Sequence, residues 1–202
     1  KALGLEAELE MPKAGFYPRG GGEIIATISP KKEIRPLILE ERGKLKIVRG
    51  ISAVGNLPPS IALRQKEQAE RRLSQEGLTC HIELEDMPAT AKGTMLLLIG
   101  EFERSQCCYY GLGAIGKRSE TVADEACDQL LNFLKTEGVF DEHLADQIVL
   151  PLALSKGTSS LVTPRLTQHL LTNIEVIKKF ISVKIDVEDR GERGGVVRIQ
   201  KL

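Results

Sequence analysis

The sequence predicts a mixed α+β fold, with a smaller α/β domain inserted into a larger one. Three observations point there. Short segments of alternating polarity recur along the chain, as half-buried strands require. At least three stretches carry apolar residues at helical spacing. The segments between residues 44 and 137 form a self-contained β-α-β-β-β-α series, flanked by strand-rich ends at 1–43 and 138–202. An insertion explains that order better than two consecutive domains.

Taken in order, Leu3, Leu5, Ala7 and Leu9 alternate as a half-buried strand would. A Gly/Pro-rich connection, Gly15-Phe16-Tyr17-Pro18-Arg19-Gly20-Gly21-Gly22, leads to a second strand over 23–29, so the pair reads as a hairpin. Residues 31–43 are charged and contain Pro36, as a linker or an edge would. A strand over 44–54 precedes a helix over 61–76, with Ser60 as its cap, Ile61, Ala62, Ala69 and Leu73 on its apolar face, and Gly77 as its stop. Strands follow at 79–85, at 95–99 (continuously apolar, as if buried on both faces) and at 106–112, and then a helix over 121–136. Asp141 is a good N-cap for a helix over 142–150. Residues 157–160 read as a loop and 161–163 as a short strand. Thr172 and Glu175 have the spacing of a capping box for a helix ending near Phe180. Strands over 182–188 and 195–200, joined by a turn, finish the series.

Composition narrows the function. In 202 residues, 28 Lys and Arg balance 28 Asp and Glu, so the chain is not a uniformly basic nucleic-acid binder. Aromatic residues are 4% and Trp is absent, which argues against a broad stacking platform for single strands. No apolar run reaches the length of a membrane span, and no partnership with a membrane is expected. The four cysteines form no CxxC pair and the three histidines are far apart, so a structural zinc site is not expected; reduced thiols and a cytoplasmic location are. The chain starts Lys1-Ala2-Leu3-Gly4, without Met, as a cut into a longer chain or a processed end would.

Three places could do chemistry. Consecutive glycines beside Arg19 could let backbone N–H groups and a guanidinium approach a phosphate, or could simply form a tight turn. On a helix, His143, Asp146 and Gln147 share one face, able to meet a ligand or a divalent cation, or simply to face solvent. His169 lies just ahead of the helix expected to open at Thr172. A neutral imidazole there could attack phosphorus, or could be an ordinary packed or surface histidine.

Together the strings Gly15–Gly22, Glu142-His143-Leu144-Ala145-Asp146-Gln147 and His169-Leu170-Leu171-Thr172-Asn173, in this order, resemble the RNA 3′-terminal phosphate cyclase family. Segments 50–58, 113–116 and 151–154 match as well, so the resemblance covers essentially the whole chain. It implies a large domain of repeated units, each a four-stranded sheet with two helices, and a smaller inserted domain. It implies ATP and a divalent cation (Mg or Mn) as cofactors, and RNA with a 3′-terminal phosphate as partner. The implied reaction converts that end to a 2′,3′-cyclic phosphodiester through an adenylyl-histidine. By motif, His169 would be the nucleophile, and His143, Leu144, Ala145, Asp146 and Gln147 would line the ATP site. His143 stands where the family often has tyrosine, and Arg19 would contact substrate phosphate. The alternative is a non-catalytic, cyclase-like RNA-binding or ribosome-assembly protein. The match begins partway through the family's pattern, so the chain reads as the last part of a larger protein.

Overall fold

The computed structural model describes residues 2–202; Lys1, where the reading of the start begins, lies outside them. Among the described residues, ten strands form three sheets and four α-helices accompany them. No helix among the described residues is long and apolar enough to cross a membrane.

Strands β1 (Glu6–Lys13) and β2 (Glu23–Ser29) pair antiparallel into a two-stranded ribbon. The alternation of Leu3 to Leu9 predicts a half-buried strand, but the ribbon is solvent-exposed on both faces; Leu9, Ile24 and Ile28 are each 71% exposed. Among the described residues no layer covers either face, so alternation along the ribbon has no core to point at. The ribbon is anchored instead through the connection between its strands. The Ala14 N–H donates to the Pro88 carbonyl at 2.8 Å, and the Phe16 ring lies where a Cβ on Gly93 would stand, 1.9 Å away. Gly15 and Gly22 cross so closely that a Cβ on either would sit 2.6 Å from the backbone nitrogen of the other. These glycines serve close backbone approach.

The second sheet has the order β5-β4-β6-β7, built from β4 (Leu45–Gly55), β5 (Cys80–Asp86), β6 (Gly93–Phe102) and β7 (Gln106–Leu112). β4 runs parallel to β5 and antiparallel to β6. The β4–β5 crossover is α1 (Ser60–Gln75), and α2 (Ser119–Leu134) follows β7. Leu73, Ile82, Leu96, Leu98 and Leu130 are fully buried in one apolar cluster. β6 is not buried on both faces, as its apolar run predicts. It alternates, with Leu96 and Leu98 buried and Met95, Leu97 and Ile99 only half-buried, because helices cover one face of an antiparallel centre. Ser60 is the first residue of α1 and makes no side-chain cap; Pro59 holds that position. The helix stops at Gly77, whose positive φ of 71° lets the Leu78 and Gly77 N–H groups return to the Leu73 and Ser74 carbonyls.

The third sheet has the order β3-β8-β10-β9, from β3 (Ile38–Leu39), β8 (Thr158–Thr163), β9 (Val183–Asp189) and β10 (Gly195–Lys201). β3 lies parallel to β8 and the other pairs are antiparallel. Helices α3 (Glu142–Leu154) and α4 (Gln168–Phe180) supply Ala145, Ile148, Val149, Leu152, Leu170, Ile174 and Ile177 to its core. α3 runs through Pro151, one turn past its expected end. The proline removes the N–H that would reach the Gln147 carbonyl, but Leu152 and Ala153 are buried, and that burial carries the helix on.

Arg42 ties this sheet's surroundings to the second one. Its guanidinium donates to the carbonyls of Phe133, Leu134 and Gly138 at 2.9–3.2 Å and lies over the Phe102 and Phe133 rings, 5.0 and 4.8 Å from their centroids.

Candidate functional site

The site forms where the first turns of α3 and α4 meet. Asp141, itself buried, caps α3 by accepting from the His143 and Leu144 N–H groups at 3.1 and 2.8 Å. Its second oxygen accepts from the Cys108 N–H on β7 at 3.2 Å, so the cap also fixes α3 against the second sheet. The next residue, Glu142, accepts from the Tyr109 hydroxyl at 2.8 Å through one oxygen and pairs with Arg165 at 2.9 Å through the other. Burial pushes the Glu142 carboxyl up, but hydrogen bonds from its own N–H and from Tyr109, with the positive charge of Arg165, hold it below the usual carboxylate range. Burial, with the bond to Glu142, pushes the Tyr109 hydroxyl above its ordinary value, so it stays a donor.

α4 does not open at a Thr172–Glu175 capping box. It begins at Gln168, with Thr167 as N-cap accepting from the Leu170 N–H at 3.1 Å. Starting there buries Leu170, Ile174 and Ile177 on one stripe, which the later start would forfeit in its first member. His169 therefore sits inside the first helical turn, where backbone N–H groups lack intrahelical acceptors and the helix dipole favours an anion. The Thr163 hydroxyl donates to the Arg165 carbonyl at 3.1 Å and pins the turn leading into the helix.

His143, Asp146 and His169 line one open cavity of about 580 Å³, together with Glu142, Arg165 and Thr167. The Asn173 amide on α4 donates to Asp146 Oδ1 on α3, holding that carboxylate across the helix pair. The other residues expected at an ATP site lie elsewhere. Ala145 is fully buried in the core, Leu144 packs partly against that core, and Gln147 is exposed outside the cavity lining. Arg19 is exposed in the ribbon's connection, which docks on residues 88–93, and does not line the cavity. Sequence reasoning passed over Glu142 as a binding partner although it adjoins His143, and Arg165, which reads as one more loop residue. Tyr109 could not have been found, because nothing local in a strand marks a partner 33 residues away.

The described residues contain no cluster of three or more His, Cys, Asp or Glu side chains fit to hold a metal ion. Asp146 is one carboxylate at a cavity, which suits a hard divalent cation that draws most of its coordination from phosphate oxygens and water.

A family model described as RNA 3′-terminal phosphate cyclase matches residues 1–187. The chain is 36% identical over 187 residues to a Nostoc punctiforme protein named RNA 3′-terminal phosphate cyclase, an overlap that covers 93% of this chain and 54% of the relative. Proteins of the same name from Saccharolobus islandicus and Methylococcus capsulatus are 38% and 35% identical, covering 94% and 98% of this chain and 56% and 55% of theirs. The chain thus spans a little over half the length of the curated relatives it matches. Because the family match runs through both helices that meet at the cavity, it includes the site as well as the scaffold, and the chain belongs to the RNA 3′-terminal phosphate cyclase family.

Proposed function

We propose that this chain carries the nucleotidyl-transfer site of an enzyme that converts an RNA 3′-terminal phosphate to a 2′,3′-cyclic phosphodiester with ATP. The observation that carries the reading is His169 in the first turn of α4, facing a cavity shared with Asp146 and His143. A neutral imidazole nitrogen of His169 attacks the α-phosphorus of ATP; the N–P bond forms, the P–O bond to pyrophosphate breaks, and pyrophosphate leaves. An oxygen of the RNA 3′-phosphate then attacks the same phosphorus, the N–P bond breaks, and the imidazole is restored. The product is an anhydride with AMP as leaving group. The vicinal 2′-hydroxyl attacks the RNA phosphorus, loses its proton and expels AMP. It is already beside its target, so ring closure is intramolecular and gains from proximity. Requiring that hydroxyl also separates RNA from DNA ends.

The first-turn N–H groups of α4 face the developing negative charge, and His143 offers its ring to the nucleotide base. Asp146, held by Asn173, would hold a divalent cation together with phosphate oxygens; that cation would neutralise phosphate charge. Residues 44–137 are proposed as an insertion between two parts of the catalytic domain, 1–43 and 138–202.

Incubation of protein from the whole reading frame with α-labelled ATP and Mg tests the reading. We expect an acid-labile, alkali-stable labelled protein, and a loss of at least about 10³-fold in its formation in His169→Ala. No adduct from the wild-type protein, or an undiminished one from His169→Ala, would overturn it.

A further inference from the structure

We propose that Arg165 binds the phosphate chain of the nucleotide at this site, and that Glu142 and Tyr109 are positioning residues that aim its guanidinium into the cavity. The inference rests on the nucleotidyl-transfer reading above and extends it to a residue outside the motifs that suggested it.

The charge balance of the cavity demands such a group. Two carboxylates, Glu142 and Asp146, line it, and Arg165 is the only lysine or arginine among its described lining residues. A nucleoside triphosphate brings about four negative charges, and phosphoryl chemistry depends on preorganised positive charge around the transferring group. The α4 N-terminus supplies partial charge only.

The geometry of Arg165 suits the task. Its backbone is pinned by Thr163, two residues before the Thr167 cap. Its side chain is 69% exposed, and the contact to Glu142 at 2.9 Å uses one terminal nitrogen. The remaining N–H donors of the planar fork stay available for bidentate contact with phosphate. Glu142, by contrast, is only 14% exposed at its side chain and is fixed from its other oxygen by Tyr109. The anchor is therefore rigid and the free edge faces water. Glu142 and Arg165 also line a smaller cavity of about 280 Å³ between α2 and the α3–α4 region, so the pair stands at the boundary of the two openings. Tyr109 comes from β7 of the second sheet, so the placement of that sheet sets the aim of Arg165.

The test is ATP binding by calorimetry in a His169→Ala background, where no adduct consumes the nucleotide. Adding Arg165→Ala is expected to weaken ATP by about tenfold to hundredfold, the loss of one charge-assisted contact, with adenosine affinity unchanged. Arg165→Lys should recover part of the loss, because it keeps the charge without the fork. Tyr109→Phe should weaken ATP by a smaller factor, about twofold to tenfold, by loosening the anchor. Unchanged ATP affinity in Arg165→Ala, equal loss for adenosine, or a loss confined to binding of an RNA 3′-phosphate would overturn the proposal. Adduct formation by the wild-type protein, measured separately, tells failure of this inference from failure of the nucleotidyl-transfer reading.

Discussion

The second and third sheets each have four strands and two helices and both bury internally bonded polar groups, but the third also turns charged and polar side chains toward an open cavity between its helix starts. In the second, Ser52, Gln65 and Thr94 are buried together and close a network on themselves. Ser52 Oγ lies 2.8 Å from the Ala62 carbonyl and 2.9 Å from Gln65 Oε1, the Gln65 amide donates to Thr94 Oγ1 at 2.8 Å, and the Thr94 hydroxyl donates to the Ala53 carbonyl at 2.7 Å. Every partner is internal, so the network specifies packing. In the third, polar side chains gather at the first turns of α3 and α4 and face an open cavity. The helix ends there leave donors that no intrahelical carbonyl takes. The third unit, too, orders itself with buried polar groups, the Ser155 hydroxyl donating to the Leu152 carbonyl at 2.7 Å and the Leu37 N–H to Ser159 Oγ at 3.2 Å, but it adds a second polar set that is available for chemistry.

Three measurements break or sharpen that comparison. The largest expected effect is at the level of the whole second unit. Its apolar cluster draws only on residues between Leu45 and Leu134, so a fragment of residues 44–137 should fold alone and melt cooperatively by calorimetry. A broad, non-cooperative melt would show that it depends on the third sheet.

Next in size is the junction between the two units. Arg42→Ala removes donors from three carbonyls and a cation stacked on two rings, and should cost about 2–4 kcal/mol in urea unfolding. A change under about 0.5 kcal/mol would mean that the units do not rely on this contact.

The smallest effect concerns acid. Glu142 is held below its ordinary value of 4.5, so its contribution is present above that value and is lost as pH falls through its lower folded value. Glu142→Gln should therefore destabilise by about 1–2 kcal/mol near neutral pH, with the gap to wild type closing as the pH falls below the ordinary carboxylate range. A gap in melting temperature that stays constant with pH would show that the carboxylate charge contributes nothing.

Much of the fold was legible because its signals are local. The order β-α-β-β-β-α in the second unit follows from periodicities of two and 3.6 residues, the Gly77 stop needs only a left-handed residue, and Asp141 caps the helix it adjoins. The candidate site was legible in its motif residues, yet only His143, Asp146 and His169 came together, because adjacent residues on a helix point in different directions and Ala145 turns into the core.

What the sequence determined by itself, then, was the succession of elements and the residue types able to do chemistry, since propensity, caps and spacing act over a few positions. Tertiary structure decided the rest. It set the start of α4 at Gln168, capped by Thr167, because burial of Leu170 outweighs a capping pattern further along the chain. It left the β1–β2 ribbon exposed despite its alternation, because alternation is worth free energy only where another layer excludes water. And it joined Tyr109, Glu142 and Arg165 into one contact, because a hydrogen bond between residues 33 apart exists only once two separate cores have packed against each other.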